Sequence, residues 1–127
     1  MIVRTLAEVQ GTNADVCTES WRSTRFLLQR DNMGFTITET VVEAGMDETL
    51  WYKHHLEACL CIEGEAKLTD LATGKEFTIR PGTLYALDKH DRHRIVALER
   101  TRLICVFSPA LTGSEVHGPD GSYSLPG

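Results

Sequence analysis

Two stretches of the chain carry residue types suited to metal binding and proton transfer. The first runs Tyr52-Lys-His-His-Leu-Glu57-Ala-Cys-Leu-Cys-Ile-Glu-Gly64 and the second Gly82-Thr-Leu-Tyr85-Ala-Leu-Asp-Lys-His-Asp-Arg-His93. Read as strands with a side-chain period of two, His55, Glu57, Cys59 and Cys61 share one face, and Leu56, Ala58, Leu60 and Ile62 share the other. Thr83, Tyr85 and Leu87 share a face in the second stretch, as do Leu103, Cys105 and Phe107 further on. A carboxylate set into an apolar strand requires a hydrogen-bonding partner or a cation, so Glu57 points to a site rather than a core. Taken singly, the histidines at 54, 55, 90 and 93 read as solvated loop residues, Cys59 and Cys61 as small core residues, and Tyr85 as a lining aromatic. An inward face that combines Glu, His, Tyr and Cys describes a pocket.

These residues must be held by strands. Short runs rich in apolar and β-branched residues recur about every ten residues: Phe35–Val42, Thr49–Tyr52, Ala58–Ile62, Ala66–Asp70, Glu76–Ile79, Thr83–Leu87, Arg94–Leu98 and Thr101–Phe107. Gly- and Asp-rich turns separate them, and helical periodicity is nearly absent, which predicts an all-β sandwich or small barrel. Residues 1–10 read as a first strand, and Trp21 and Arg25 share a face in either a helix or a strand. Residues 108–127 read as a loop-like tail whose Glu115 and His117 reach toward a barrel mouth.

At 127 residues the chain is expected to form a single domain. Thirteen basic against eighteen acidic residues leave a net charge of −5, the wrong sign for a nucleic-acid footprint, and favour a small-molecule partner. No apolar run approaches the roughly 20 residues that span a bilayer. The N-terminus lacks a secretory pattern, which predicts a cytoplasmic protein with Cys17, Cys59, Cys61 and Cys105 as reduced thiols.

Six residues lie between Glu57 and Gly64, and ten between Gly82 and His93. This spacing resembles the two signature segments of the cupin superfamily, E-x6-G and G-x5-P-x-G-x2-H, and implies a jelly-roll barrel. Glu57 then falls on the metal glutamate and His93 on the second-segment histidine. Asp88 and His90 stand where the pattern has proline and glycine, and Leu50 and Tyr52 where it has the HxH pair. A three-histidine site is therefore excluded. The nearest inward oxygen donor is Tyr85, and oxygen ligands with an imidazole suit iron better than a thiolate-seeking metal.

Over nearly its whole length the chain also resembles the ectoine synthase family of cupin hydro-lyases. The similarity is carried by Met-Ile-Val-Arg at the start, His-Leu-Glu, Cys-Ile-Glu-Gly-Glu, Pro-Gly-Thr-Leu-Tyr-Ala-Leu-Asp-Lys-His-Asp-Arg-His, Cys-Val-Phe and Leu-Thr-Gly-Ser-Glu-Val-His. The resemblance implies cyclisation of N-γ-acetyl-L-2,4-diaminobutyrate to the compatible solute ectoine with loss of water. It implies iron held by Glu57, Tyr85 and His93, and substrate contacts from Trp21, Arg25, Thr40, Tyr52, His55, Cys105, Phe107, Glu115 and His117. Within that set Arg25 suits a carboxylate clamp, and Trp21 and Phe107 suit apolar walls. Tyr52, His55 and Glu115 are the proton-transfer candidates, and His117 would orient a tail that closes as a lid. Thr38 and the Cys59-x-Cys61 pair stand outside the pattern associated with the family. Small cupins also lead us to expect a homodimer. The competing classes are an iron-dependent cupin dioxygenase, which needs a second histidine such as His55, and a non-enzymatic ligand-binding cupin.

Overall fold

Leu56–Glu63 alternates exposed and buried positions, with Glu57, Cys59 and Cys61 turned inward. A computed structural model, which describes residues 1–115, builds this strand into one of two antiparallel sheets. The strands in chain order are β1 (Asp15–Cys17), β2 (Trp21–Arg25), β3 (Thr36–Val42), β4 (Asp47–Leu50), β5 (Leu56–Glu63), β6 (Ala66–Asp70), β7 (Glu76–Ile79), β8 (Leu84–Leu87), β9 (His93–Ala97) and β10 (Thr101–Ser108). The larger sheet has the order β1-β2-β3-β10-β5-β8 and the smaller β4-β9-β6-β7. This is the all-β, two-sheet architecture expected from the spacing of the runs.

The core between the sheets is built from the inward residues of both, including Val42, Leu68, Ile79, Leu87, Ile95 and Leu103. The central strand β10 pairs with β3 on one side and β5 on the other, placing Cys105 opposite Thr38 and opposite Cys59. β5 in turn pairs with β8, placing Cys59 opposite Tyr85 and Glu57 opposite Leu87. Three strands thus bring Glu57, Cys59, Tyr85 and Cys105 onto one inward patch.

The turn after β5 depends on Gly64. Its φ is +91°, and a Cβ there would stand 2.4 Å from the Arg100 carbonyl oxygen and 2.6 Å from the Thr101 Cα. The glycine that ends the first signature segment is therefore fixed by a close backbone approach as well as by its dihedral.

Two segments differ from the expectation. Residues 1–10 form no strand; Leu6–Val9 is a single helical turn, α1, closed by a capping box between Thr5 and Glu8. Period-two alternation over so few residues does not separate a strand from a capped turn, and the Thr-x-x-Glu pattern was the stronger signal. The strand expected over Thr49–Tyr52 ends at Leu50, and residues 51–55 form a turn. Trp21 and Arg25 lie on a strand, β2, not on a helix.

Next to α1, Asp15 accepts hydrogen bonds from the Arg22 guanidinium, the Gly11 N–H (3.1 Å) and the Thr24 hydroxyl (3.1 Å). The Arg22 bond, working against burial and aided by Gly11 and Thr24, holds the Asp15 carboxyl at about 2. Because the folded value is depressed, this contribution is complete above the unfolded carboxylate value of about 4 and is lost as pH falls from there toward 2. Asp15→Asn is expected to flatten the stability profile in that window. An unchanged acid-unfolding slope, followed by circular dichroism, would contradict the assignment.

Candidate active site

A cavity of about 60 Å³ lies against the inward patch, lined among others by Trp21, Thr40, Tyr52, Glu57, Tyr85, Cys105 and Phe107. Trp21 and Ser23 reach it from β2, Thr40 and Val42 from β3, Glu57 and Cys59 from β5, Tyr85 from β8, and Cys105 and Phe107 from β10. Seven of the twelve site residues expected from the sequence thus converge on one space.

Glu57 is buried within it, and burial pushes its carboxyl up to about 7 although the Cys59 and Cys105 thiols donate hydrogen bonds to it. Burial, followed by the nearby Cys59, Glu57 and Cys105, likewise holds the Tyr85 phenol well above its ordinary range, and its hydroxyl donates to the Cys59 sulfur. A nearby cation would favour the charged forms of a carboxylate and a phenol raised in this way.

His93 is fully enclosed at the start of β9, its ring centroid 6.2 Å from that of Tyr52. Its Nδ1 lies 3.0 Å from the Asp91 carbonyl oxygen, which can only accept, so Nδ1 carries the proton and Nε2 keeps a lone pair. Burial lowers its pKa, partly offset by that backbone bond, and so favours the neutral ring. A neutral imidazole with its tautomer set by a backbone carbonyl is the form that ligates metals. As donor types, a carboxylate, a phenol and a neutral imidazole suit a divalent ion, and Tyr85 is common to the Glu57 cavity and to the recess that His93 lines.

The remaining expected residues are not among those that line this cavity. His55 is fully buried, its ring 6.3 Å from that of Phe107 and nearly perpendicular to it. Phe107 packs edge-on against Tyr52 at 5.2 Å. Burial pushes the His55 pKa down, and the Glu115 charge pushes it partly back. Glu115 is held by the N–H groups of Thr112 (2.8 Å) and Gly113 (3.0 Å) and by the Thr112 hydroxyl (2.9 Å). Burial raises its carboxyl, but these bonds outweigh it and leave the group below its usual value. Arg25 is buried on the same strand face as Trp21 and Ser23, yet it lines a separate recess with Phe26, Leu28 and Asp31. His117 lies outside the described residues.

Two contributors were not read from the sequence. Ser23 lines the cavity beside Thr40, and a side-chain period of two from Trp21 would have found it. His90, read as a solvated loop residue, fastens the 51–55 turn. Its Nδ1–H donates to the carbonyls of Tyr52 (2.9 Å) and His55 (3.1 Å), and its own carbonyl accepts from the Trp51 indole (2.9 Å). It does so at φ +52°, in the slot where the cupin pattern has glycine. That departure from glycine was the available signal. His90→Gly is expected to relieve the backbone and keep the fold within about 1 kcal/mol while lowering kcat about tenfold, because Tyr52 and His55 lose their common anchor. An unchanged kcat would show that the turn holds without the imidazole.

Two facing antiparallel sheets, with Glu57 and His93 at the signature spacings, define a cupin. A solved RmlC-like cupin from Shewanella frigidimarina shares this fold with a TM-score of 0.63 at 18% identity, covering 76% of this chain and 82% of its own. More specifically, the family described as Ectoine synthase matches residues 1–127, and the chain belongs to that family. An L-ectoine synthase of Thermobifida fusca is 51% identical over 125 residues, covering 98% of this chain and 93% of the relative. The crystal structure of ectoine synthase from P. lautus superposes with a TM-score of 0.89 at 43% identity, covering 100% of this chain and 92% of that one.

Proposed function

We propose that the protein is an ectoine synthase, a hydro-lyase that closes N-γ-acetyl-L-2,4-diaminobutyrate into ectoine. The observation that carries this reading is the convergence of Glu57, Tyr85, Tyr52, Cys105, Phe107, Trp21 and Thr40 on one cavity in a chain half identical to L-ectoine synthases over nearly its full length. Glu57, Tyr85 and His93 are the residues that would hold iron(II), which supplies a Lewis acid for the acetamide oxygen.

The reaction needs a neutral α-amine. Its nitrogen attacks the acetamide carbon, a C–N bond forms, and the former carbonyl oxygen leaves as water with two protons. His55, kept neutral by burial, is suited to take the proton from the α-ammonium, and Glu115 beside it stabilises the imidazolium that results. Tyr52, on the cavity wall, would return a proton to the departing oxygen. Trp21 and Phe107 form apolar walls that fold the substrate toward its ring-closing pose, and intramolecular attack gains from that orientation. Arg25, two residues beyond Ser23 on the same strand face, is the proposed bidentate clamp, a role that requires the substrate carboxylate to reach the separate recess Arg25 lines. Thr40 and Cys105, which line the cavity, complete the contacts.

Incubation of iron(II)-loaded protein with the acetylated diamino acid under argon, followed by NMR, tests the reading. Cyclic product without oxygen supports it. Substrate-dependent oxygen uptake in air would favour a dioxygenase, and tight binding without turnover would favour a non-enzymatic cupin.

We infer further that the protein works in the cytoplasm as a homodimer. Among the described residues no helix is long and apolar enough to cross a membrane. Leu56, Leu60 and Leu84 lie exposed at 42%, 40% and 62% on the outer side of β5 and the edge strand β8, with Leu60 directly opposite Leu84. A second copy would cover this row. Leu84→Lys is expected to weaken dimerisation by about 10- to 100-fold, the equivalent of one leucine's burial. An unaltered mass in size-exclusion chromatography with light scattering would move the interface elsewhere.

A further inference from the structure

The inward patch holds more ligating groups than an oxygen-and-imidazole iron site uses. The carboxylate of Glu57 and the sulfur atoms of Cys59 and Cys105 all lie within 4.8 Å of one another, and all three residues are buried. Cys59 and Cys105 face each other across β5 and β10, while Glu57 is two residues before Cys59 on the same face. Strand pairing therefore fixes the three donors on a rigid scaffold.

We propose that Glu57, Cys59 and Cys105 form a mixed carboxylate–thiolate site for a thiophilic divalent cation of the zinc type, sharing Glu57 with the iron site and so excluding iron when filled. The sharing rests on the iron reading given above; the thiolate site does not. Zinc holds sulfur at about 2.3 Å and carboxylate oxygen at about 2.0–2.2 Å, so ligands on one ion stand about 3–4 Å apart. The three donors, already within 4.8 Å of one another, stand close to that spacing. On binding, two metal–sulfur bonds and one metal–oxygen bond form, the two thiol protons leave to solvent, and a fourth position faces the cavity. Soft sulfur donors select zinc or cobalt over iron(II), and zinc stands above iron(II) in the general affinity order for divalent metals. The sequence expectation that Cys59 is only a small core residue changes accordingly: beside Cys105 it completes a chelating pair.

Cobalt(II) is the probe, added anaerobically to metal-free protein carrying Cys17→Ser and Cys61→Ser, which leaves Cys59 and Cys105 as the thiols. One equivalent is expected to produce a near-ultraviolet thiolate-to-cobalt charge-transfer band and the intense visible bands of tetrahedral cobalt. Cys59→Ser should lower the band at least tenfold in apparent affinity, while His93→Ala should leave it in place. Absence of the band in the protein with both thiols, or its persistence in Cys59→Ser, would overturn the site whether or not that variant folds well. Iron-loaded protein should release its iron to a colorimetric chelator on addition of one equivalent of zinc. Retention of iron beside a bound zinc would overturn the sharing of Glu57, and failure to load iron at all would count against the iron reading alone, since the cobalt band does not depend on it.

Discussion

Alanine in place of Glu57 or His93 is expected to strip iron from the protein and to lower cyclisation on the order of 10³-fold or more, the scale of losing electrostatic stabilisation at a developing oxyanion. The two residues come from different sheets, on β5 and β9. Glu57 is a carboxyl pushed up to about 7 by burial, with the Cys59 and Cys105 thiols donating to it. His93 is a buried neutral ring whose Nδ1–H is already given to Asp91. Metal content and turnover should fall together, and the melting temperature of the metal-free protein separates loss of the ion from loss of the His93–Asp91 bond. Metal analysis beside the rate measurement checks this. A variant that loses iron and keeps turnover would remove the metal from the chemistry, whereas one that keeps iron and loses turnover would make Glu57 or His93 a catalytic group in its own right.

Gly64→Ala is expected to be the most damaging conservative change to the fold. The added methyl meets backbone atoms at 2.4 and 2.6 Å at a φ of +91°, and neither the Arg100 carbonyl nor the Thr101 Cα is the free end of a flexible chain. Relief requires separating the turn after β5 from the start of β10, which also carries the Thr101 hydroxyl bond to the Glu65 carbonyl (3.3 Å). Left-handed strain alone costs about 1–3 kcal/mol, and the backbone collision adds to it, so a loss of about 3 kcal/mol or more is expected, or roughly 10 °C or more in Tm. Thermal denaturation checks it. Gly74, at φ +76° with open space around its position, is the control: alanine there meets only the dihedral cost.

The two long neighbouring strands β5 and β10 were legible because they alternate in burial. Leu56–Glu63 and Thr101–Ser108 place every second residue inward, and that period put Glu57 and Cys59 on the inward face of one strand and Cys105 and Phe107 on the inward face of the other. The Glu57–Gly64 and Gly82–His93 spacings then encode turns whose geometry the backbone requires, most clearly at Gly64. What sequence did not reveal depends on contacts between segments distant in the chain. His90 acts through carbonyls 38 and 35 residues away, which no local pattern reports. The proximity of the Cys59 and Cys105 sulfurs arises from the β5–β10 register, and Arg25 shares a strand face with Trp21 and Ser23 yet lines a different recess. The N-terminal helical turn was misread because its capping box, a local signal, was outweighed by a loose alternation of apolar residues.

The central claim is that ring closure occurs in the Glu57 cavity with the help of a metal held there. Its most direct test is ectoine formation from N-γ-acetyl-L-2,4-diaminobutyrate measured anaerobically on two portions of one preparation, iron(II)-loaded and chelator-stripped. Product in the loaded portion, loss of at least about 10²-fold in the stripped one, and recovery on adding iron(II) back are expected. Equal rates in the two portions, or no product in either, would contradict it.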